Sequence, residues 1–500
     1  MNKLFKSFIS LSLLVIAMIM VVPSVFADIA ADEKGKITIS GVEDSVNVTA
    51  YRLMNVNFDR TKQQPTEPVY VWTDEVATWV RTNYPTYIGA DNRVTDTFKK
   101  GLDVAEFYDK LAAAIKSTDA ATKLNVTASG SRTGNGEITD LEMGNYFVLI
   151  ENGLKVYRPS AVNVVPKFDE TTKTWSIDNP TIEVKSSTPQ IEKTVEDVKV
   201  IGGKVGDVLH FEIKVDVPNY PMNSIKKTIT ILDNFDDGLT YNKDAQVYLD
   251  DSTTPLDSSK YTLTPAANGF TIEFDNAQYE NVRGASTLYV RYTGTINGKA
   301  LVTTGNKNEA KLIYNNNPYD TTTQEPTTDV TVYTYGLNIK KLAEDETTLL
   351  PGATFNILDA DGNTLLFVKD SDGKYHLAEN GEAGATADVV VGSDGNVKGV
   401  LELTGLATGT YTIKETVAPE GYVKLQGTVD VTIVDANLDG KDDNGSTGYV
   451  IKGIVNNKGF ELPVTGGIGT LIFSVLGILF MGVAAFLIKS IIGNKKVENN

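Results

Sequence analysis

Short apolar–polar alternations, broken at close intervals by Gly, Asn and Asp, run through most of residues 28–461. Ile37-Thr38-Ile39, Leu288-Tyr289-Val290-Arg291-Tyr292 and Val429-Asp430-Val431-Thr432-Ile433 are representative. A period of two sends every second side chain to one face of an extended chain, so such segments persist only as half-buried strands. Many short strands punctuated by turn formers call for stacked antiparallel sheets. The expected fold is therefore mainly β, a tandem row of immunoglobulin-like sandwiches. Two stretches depart from the pattern. Thr73–Val80 spaces Val76, Trp79 and Val80 on one helical face with Thr73 as N-cap, and Asp103–Lys116 does the same with Val104, Phe107, Leu111 and Ile115 behind Asp103. Both read as packing helices over a sheet.

Polar, proline-containing stretches divide the row. Ser186-Ser187-Thr188-Pro189 and Thr321–Thr328, with Pro326, separate pieces expected at 28–185, 186–332 and 333–461, each of ordinary domain size. Composition limits what these domains do. With 64 acidic against 46 basic side chains the net charge is −18, and no basic face for nucleic acid is visible. The absence of cysteine removes disulfides, thiolate metal sites and thiol nucleophiles. His210 and His376 are too few and too far apart in sequence for an imidazole metal cluster. No cofactor or metal is expected. Asp435-Ala436-Asn437-Leu438-Asp439-Gly440 matches the first half of a calcium loop, but Ser446 stands where the pattern ends in Glu. A hairpin loop and a calcium site both remain open there.

The ends carry addresses. Residues 1–27 join Lys3 and Lys6 to the apolar run Leu11–Val22 and finish on Val25-Phe26-Ala27, the layout of a secretory signal cleaved before Asp28. At the other end Leu462-Pro463-Val464-Thr465-Gly466 precedes an uncharged stretch within 467–488. That stretch is long enough to cross a bilayer as a helix. Lys489, Lys495 and Lys496 in the tail 489–500 then favour a cytoplasmic C-terminus. This tripartite ending resembles the sortase sorting signal of Gram-positive surface proteins. The resemblance implies cleavage between Thr465 and Gly466, transfer of the threonyl carbonyl to an amine, and a membrane helix that serves only as a transient hold.

The third piece runs from Leu337-Asn338-Ile339-Lys340-Lys341-Leu342 through Leu350-Pro351-Gly352-Ala353-Thr354-Phe355 to the long block Gly409–Tyr422 and a last strand ending at Val455-Asn456. In that order these blocks resemble a CnaB-type domain, which forms an internal Lys–Asn isopeptide bond. Alternation puts Lys341 on the inward face with Leu337 and Ile339 and turns Lys340 outward. Glu415 shares its face with Tyr411 and Ile413. Burial disfavours the charged forms of an amine and a carboxyl, so a neutral lysine becomes a nucleophile and a neutral acid a proton donor. The resemblance implies Asn456 as the amide, with Asn457 the alternative. A buried Lys–Glu ion pair is the simpler reading of the same two residues.

Related blocks recur in the second piece: Ile191-Glu192-Lys193-Thr194-Val195, Gly206–Phe211, Ile229-Thr230-Ile231-Leu232-Asp233 and Asn306-Lys307-Asn308-Glu309-Ala310. Their order resembles a D2-type, CnaA-like fimbrial domain. It implies Lys193 as amine, Asp233 as assisting carboxyl and Asn308 as amide, with Asn306 an alternative on the same strand face. The first piece ends with Val162-Asn163-Val164-Val165-Pro166-Lys167, which is similar to the Tyr-Pro-Lys motif of sortase-assembled backbone pilins, with Val165 in the tyrosine position. The resemblance implies that Lys167 is the amine capturing Thr465 of another subunit, and an exposed lysine just after a strand is expected. Lys36 and Glu151 lie on strand-like segments of the first piece, but no motif joins them to an amide.

The sequence thus points to the major subunit of a covalent pilus, not an enzyme, on the wall of a Gram-positive cell. The implied partners are identical subunits, a pilus sortase and a housekeeping sortase, minor tip and basal pilins, peptidoglycan and host matrix. A monomeric wall-anchored adhesin shares every feature except the role of Lys167.

Overall fold

A computed structural model describes residues 29–100, 104–222, 224–250, 252–445, 447–459 and 468–494. The signal at 1–27, the cap Asp103 and the sorting motif Leu462–Gly466, with Thr465, lie outside the described residues. The chain forms two compact units, one up to Thr334 with Leu438–Gly440 and the other from Tyr335 onward.

The first unit opens with a three-stranded sheet in which Gly35–Ser40 lies between Thr181–Glu183 and Gly136–Leu141. It faces a larger sheet ordered Gln64–Trp72, Asn47–Asp59, Gly144–Glu151 and Ser160–Val164. Between them sit Ile37, Ile39, Val48, Ala50, Tyr146 and Val148. The opposite face of the larger sheet is covered by helices Asp74–Asn83 and Val104–Lys116, whose Val76, Val80, Phe107 and Leu111 enclose Trp72, Phe147 and Leu149. Coverage on both faces explains why Tyr146-Phe147-Val148-Leu149-Ile150 is an unbroken apolar run instead of an alternating one. Thr73 occupies the N-cap position, and its carbonyl accepts from Val76 and Ala77, but its hydroxyl makes no capping bond. That hydroxyl turns instead toward the Arg52 carbonyl. Strand Ser186–Ser187 pairs with Val156–Tyr157, so pairing within this first set of sheets runs beyond residue 185.

The same unit continues into a sandwich. One sheet is ordered Ile191–Val195, Val208–Asp216, Thr287–Ile296 and Leu239–Tyr241. The other runs Val200–Gly202, Thr327–Tyr333, Asn306–Asn315, Ile229–Phe235, Gly269–Phe274 and Thr262–Ala266. Alternation is strict along Val208–Asp216 and Thr287–Ile296, as a half-buried antiparallel sheet demands. The two sets of sheets are joined by a docked loop. Tyr319 enters the aromatic core of the first set and donates a 2.7 Å hydrogen bond to Asp109, while Asn316 donates to the carbonyl of Gly153.

The second unit is a smaller sandwich. Its five-stranded sheet is ordered Phe367–Lys369, Tyr375–Leu377, Val400–Leu406, Tyr335–Leu342 and Tyr449–Val455. Its four-stranded sheet is ordered Val389–Val390, Thr354–Leu358, Gly409–Val417 and Thr428–Ile433. The first and last strands run parallel, which sets Lys341 opposite Ile454. Helix Ile468–Asn494 follows, longer than the 467–488 expected, and Ile472–Ser490 within it is apolar enough to cross a membrane.

Candidate functional site

In the sandwich of residues 191–333, Lys193 leaves the first strand toward the core because Ile191-Glu192-Lys193-Thr194-Val195 alternates and Val195 shares its side. Asp233 and Asn308 arrive from adjacent strands of the facing sheet, where Asp233 pairs with Ala310 and Asn308 with Phe235. Lys193, Asp233 and Asn308 are each 0% exposed. The Lys193 ammonium bonds directly to the Asp233 carboxylate and donates to the Tyr292 hydroxyl at 2.6 Å. That hydroxyl in turn donates to Asp233 at 2.8 Å and accepts from the Asn308 amide at 3.3 Å. Phe211, Phe235 and Tyr292 wall in the amine. Burial lowers the Lys193 pKa to about 8 against the pull of Asp233. It also raises the Asp233 carboxyl, outweighing Lys193, so the neutral pair is favoured over what solvent would allow. Oδ1 of Asp233 and Oδ1 of Asn308 have no hydrogen-bond partner.

Asn306 is equally buried, but its amide is fully occupied by the backbone of Leu301 and Val332. It fills the space beside Gly238 that any larger residue would invade. Asn308 is thus the asparagine brought to the amine, and Asn306 ties down a turn.

A second cluster has the same ingredients in another arrangement. Lys341, on the inward face of Tyr335–Leu342, is 0% exposed, while its neighbour Lys340 is exposed. Its Nζ donates to the Ile454 carbonyl at 2.8 Å and lies 4.0 Å from Oε1 of Glu415. The amide of Asn456 donates to both Glu415 oxygens, at 3.0 and 2.9 Å, and its own Oδ1 is left without a partner. The backbone N–H of Leu425 also donates to Glu415 at 2.6 Å. Burial brings the Lys341 pKa down to about 8, against the pull of Glu415. Asn457 is exposed, and its carbonyl accepts from Val423, so the structure brings Asn456 and not Asn457 to the lysine.

Lys167 stands apart from both. It lies just past the strand Ser160–Val164 and is itself inside the short strand Pro166–Asp169, paired with Thr174–Ile177. The preceding strand ends at Val164, and the chain re-pairs at once into this hairpin. The lysine side chain is 66% exposed, 3.8 Å from Asp178. Phe168 and Trp175 take the other hairpin face, with Trp175 edge-on to Phe58, so the hairpin is held down while Lys167 stays open. In the remaining region, Lys36 pairs with Glu137, and Lys116 with Glu151. Asp435 accepts from Tyr335 at 2.8 Å. Among the described residues no group of three or more acidic or histidine side chains is arranged to hold a metal.

Residues 336–444 match a family model described as a prealbumin-like fold domain, SpaA, and residues 454–499 match the LPXTG cell wall anchor motif. The solved structure of the T6 backbone pilin of Streptococcus pyogenes covers 86% of this chain and 99% of its own, with TM-score 0.61 and 18% identity. This chain has a backbone-pilin fold. The full-length major pilin SpaD of Corynebacterium diphtheriae aligns over 86% of this chain and 99% of its own at TM-score 0.52 and 19% identity. In sequence, the trypsin-resistant surface T6 protein of Streptococcus pyogenes is 26% identical over 297 residues. The chain spans about half the length of that relative. The anchor motif and the apolar helix behind it assign this backbone-pilin fold to the cell wall, with the helix as a transient membrane hold.

Tyr292 is the member of the first cluster that sequence reasoning passed over. The signal was available: it shares the inward face with Leu288 and Val290, and a tyrosine buried there must find a partner for its hydroxyl.

Proposed function

We propose that this chain is the major structural subunit of a sortase-polymerised pilus, joined from Lys167 of one subunit to Thr465 of the next. Internal Lys193–Asn308 and Lys341–Asn456 amide bonds brace two of its sandwiches. The observation that carries the reading is the pair of fully buried lysine–carboxyl–asparagine clusters, each linking the first strand of a sandwich to a strand near its end. As ion pairs alone they would set the desolvation of two charges against one ion contact and a few hydrogen bonds. As reaction sites they have what the chemistry needs. A neutral Nζ attacks Cγ of the asparagine, one proton passes from the attacking nitrogen to Nδ2 with the help of the buried acid, the Cγ–Nδ2 bond breaks, and ammonia leaves. No oxidant or cofactor enters the balance.

Each such reaction happens once and consumes its own residues, so the protein is a structural subunit and not an enzyme. Lys167 is suited to the intermolecular junction because it is exposed on a pinned hairpin, open to an acyl-enzyme in a way that Lys193 and Lys341 are not. The partners that follow are identical subunits, a pilus sortase, a housekeeping sortase, minor tip and basal pilins, and peptidoglycan. Intact mass tests the internal bonds. The chain should be lighter than its sequence by two molecules of ammonia, and peptide mapping should recover 193 linked to 308 and 341 linked to 456. A chain of full sequence mass would overturn the reading.

A further inference from the structure

The two clusters differ in one respect that bears on how the bonds form. In the Lys341 cluster the glutamate itself spans the site, both its oxygens meeting the Asn456 amide. In the Lys193 cluster the acid is an aspartate, one methylene shorter. Its Oδ2 is occupied by Lys193 and by Tyr292, and the hydrogen bond from Asn308 Nδ2 runs to the tyrosine oxygen. A tyrosine kept in a core for its ring alone needs one hydrogen-bond partner. This one touches three, and they are the amine, the acid and the amide.

Building on the proposed bond-forming role of this site, we infer that Tyr292 is a fourth catalytic residue, relaying a proton from the attacking amine to the departing amide nitrogen. The steps balance as follows. Lys193 first passes a proton to Asp233, which leaves a neutral amine beside a protonated acid. Nζ attacks Cγ of Asn308, and the acid steadies the oxygen that takes up negative charge. The attacking nitrogen must now lose a proton and Nδ2 must gain one. The Tyr292 hydroxyl contacts both nitrogens, at 2.6 and 3.3 Å. Once Asp233 is protonated it no longer takes the phenol's hydrogen, and once Cγ is tetrahedral Nδ2 has a free lone pair. The hydroxyl then accepts from the first nitrogen as it gives its own hydrogen to the second. Ammonia leaves, the tyrosine is restored as the neutral phenol, and the amide bond remains.

The surroundings suit a relay. Phe211 stacks on the tyrosine ring with centroids 5.5 Å apart, and Phe270 meets it edge-on at 5.0 Å. Gly294, two residues along on the same face, has no side chain because a Cβ there would come within 2.6 Å of the Phe235 ring. The phenol is thus fixed in place and walled by aromatic carbon. Burial holds its pKa well above the ordinary value, which keeps it neutral and confines it to concerted proton transfer.

The test is Tyr292→Phe in the full-length chain, made in a host without sortase and pulse-labelled so that linkage is followed by peptide mapping with time after synthesis. The ring and its packing survive the change; only the oxygen goes. The 193–308 link should form about 100-fold more slowly than in the parent, the scale of one general acid–base contribution. The 341–456 link in the same molecules should form at the parental rate, an internal control for folding and export. An Asn308→Ala chain, folded but unable to link, supplies the proteolysis pattern expected of an intact unlinked sandwich. Tyr292→Phe should match it. Parental linkage rates in Tyr292→Phe would overturn the relay while leaving the bond itself standing. Absence of the 193–308 link from the parent would instead overturn the bond-forming reading.

Discussion

Replacing Lys193 with Met removes the amine while keeping a side chain of similar length, so the change tests the proposed covalent link. A bond from Lys193 to Asn308 closes a loop of about 115 residues, and the chain-entropy treatment of cross-links assigns such a loop about 4.8 kcal/mol. For a sandwich of about 145 residues, unfolding entropy near its midpoint is about 0.3 kcal/mol per kelvin. Losing the link should then lower the melting temperature by about 16 °C. The packing change adds about 1.5 kcal/mol, or roughly 5 °C more, and the Asp233 carboxyl left buried without its amine can only deepen the drop. Asn308→Leu reaches the same unlinked state from the other partner and should give a drop of the same size. Differential scanning calorimetry of the ectodomain, paired with intact mass, reads both effects. If either variant has regained one ammonia mass yet melts within about 5 °C of the parent, the loop-entropy argument is refuted.

Three further outcomes follow from the geometry. Lys167→Arg should abolish the ladder of covalent multimers on denaturing gels, whereas Lys173→Arg, in the same hairpin, should leave it intact. Burial opposes a charge on His376, but hydrogen bonds to Glu382 and Asp370 outweigh it and raise the pKa above its usual value. A raised folded pKa gives stability that is fully present below the unfolded value near 6.5 and lost as pH climbs through the folded one. His376→Gln should therefore lower the melting temperature more at pH 5 than at pH 8. Tyr319→Ala removes a buried ring and its bond to Asp109, at a cost of about 3–5 kcal/mol. Calorimetry should show the transition of the sandwich of residues 191–333 moved to lower temperature, and an unshifted transition would show that the docked loop adds nothing to its stability.

Much of the β architecture is legible in the sequence because the alternation is strict where one face is wet. Lys341 is read as inward and Lys340 as outward from Leu337 and Ile339 alone, and their burial is as that pattern requires. The pattern fails where both faces are covered: the run from Tyr146 to Ile150 has no polar phase to read. It is equally silent between Asn306 and Asn308, which share a face and a burial. What separates them is a turn at Leu301 that claims one amide, and that turn is a tertiary fact. The Thr73 cap misleads for a related reason, since the hydroxyl turns to the Arg52 carbonyl, a tertiary neighbour. Hairpin pairing around Lys167 escapes notice because Pro166 looks like a strand terminator, yet it tolerates the first position of an edge strand.

The positions of the two clusters along the chain determine where a pulled filament bears load. Under the proposed linkage, with junctions at Lys167 and Thr465, tension entering one subunit would follow the backbone to Lys193, cross to Asn308, continue to Lys341, cross again to Asn456, and exit toward the next subunit. Everything before Lys167, and the long excursions 194–307 and 342–455, would hang beside that line like cargo on a towrope. Those segments can acquire insertions, altered loops or new surface chemistry without weakening the cable.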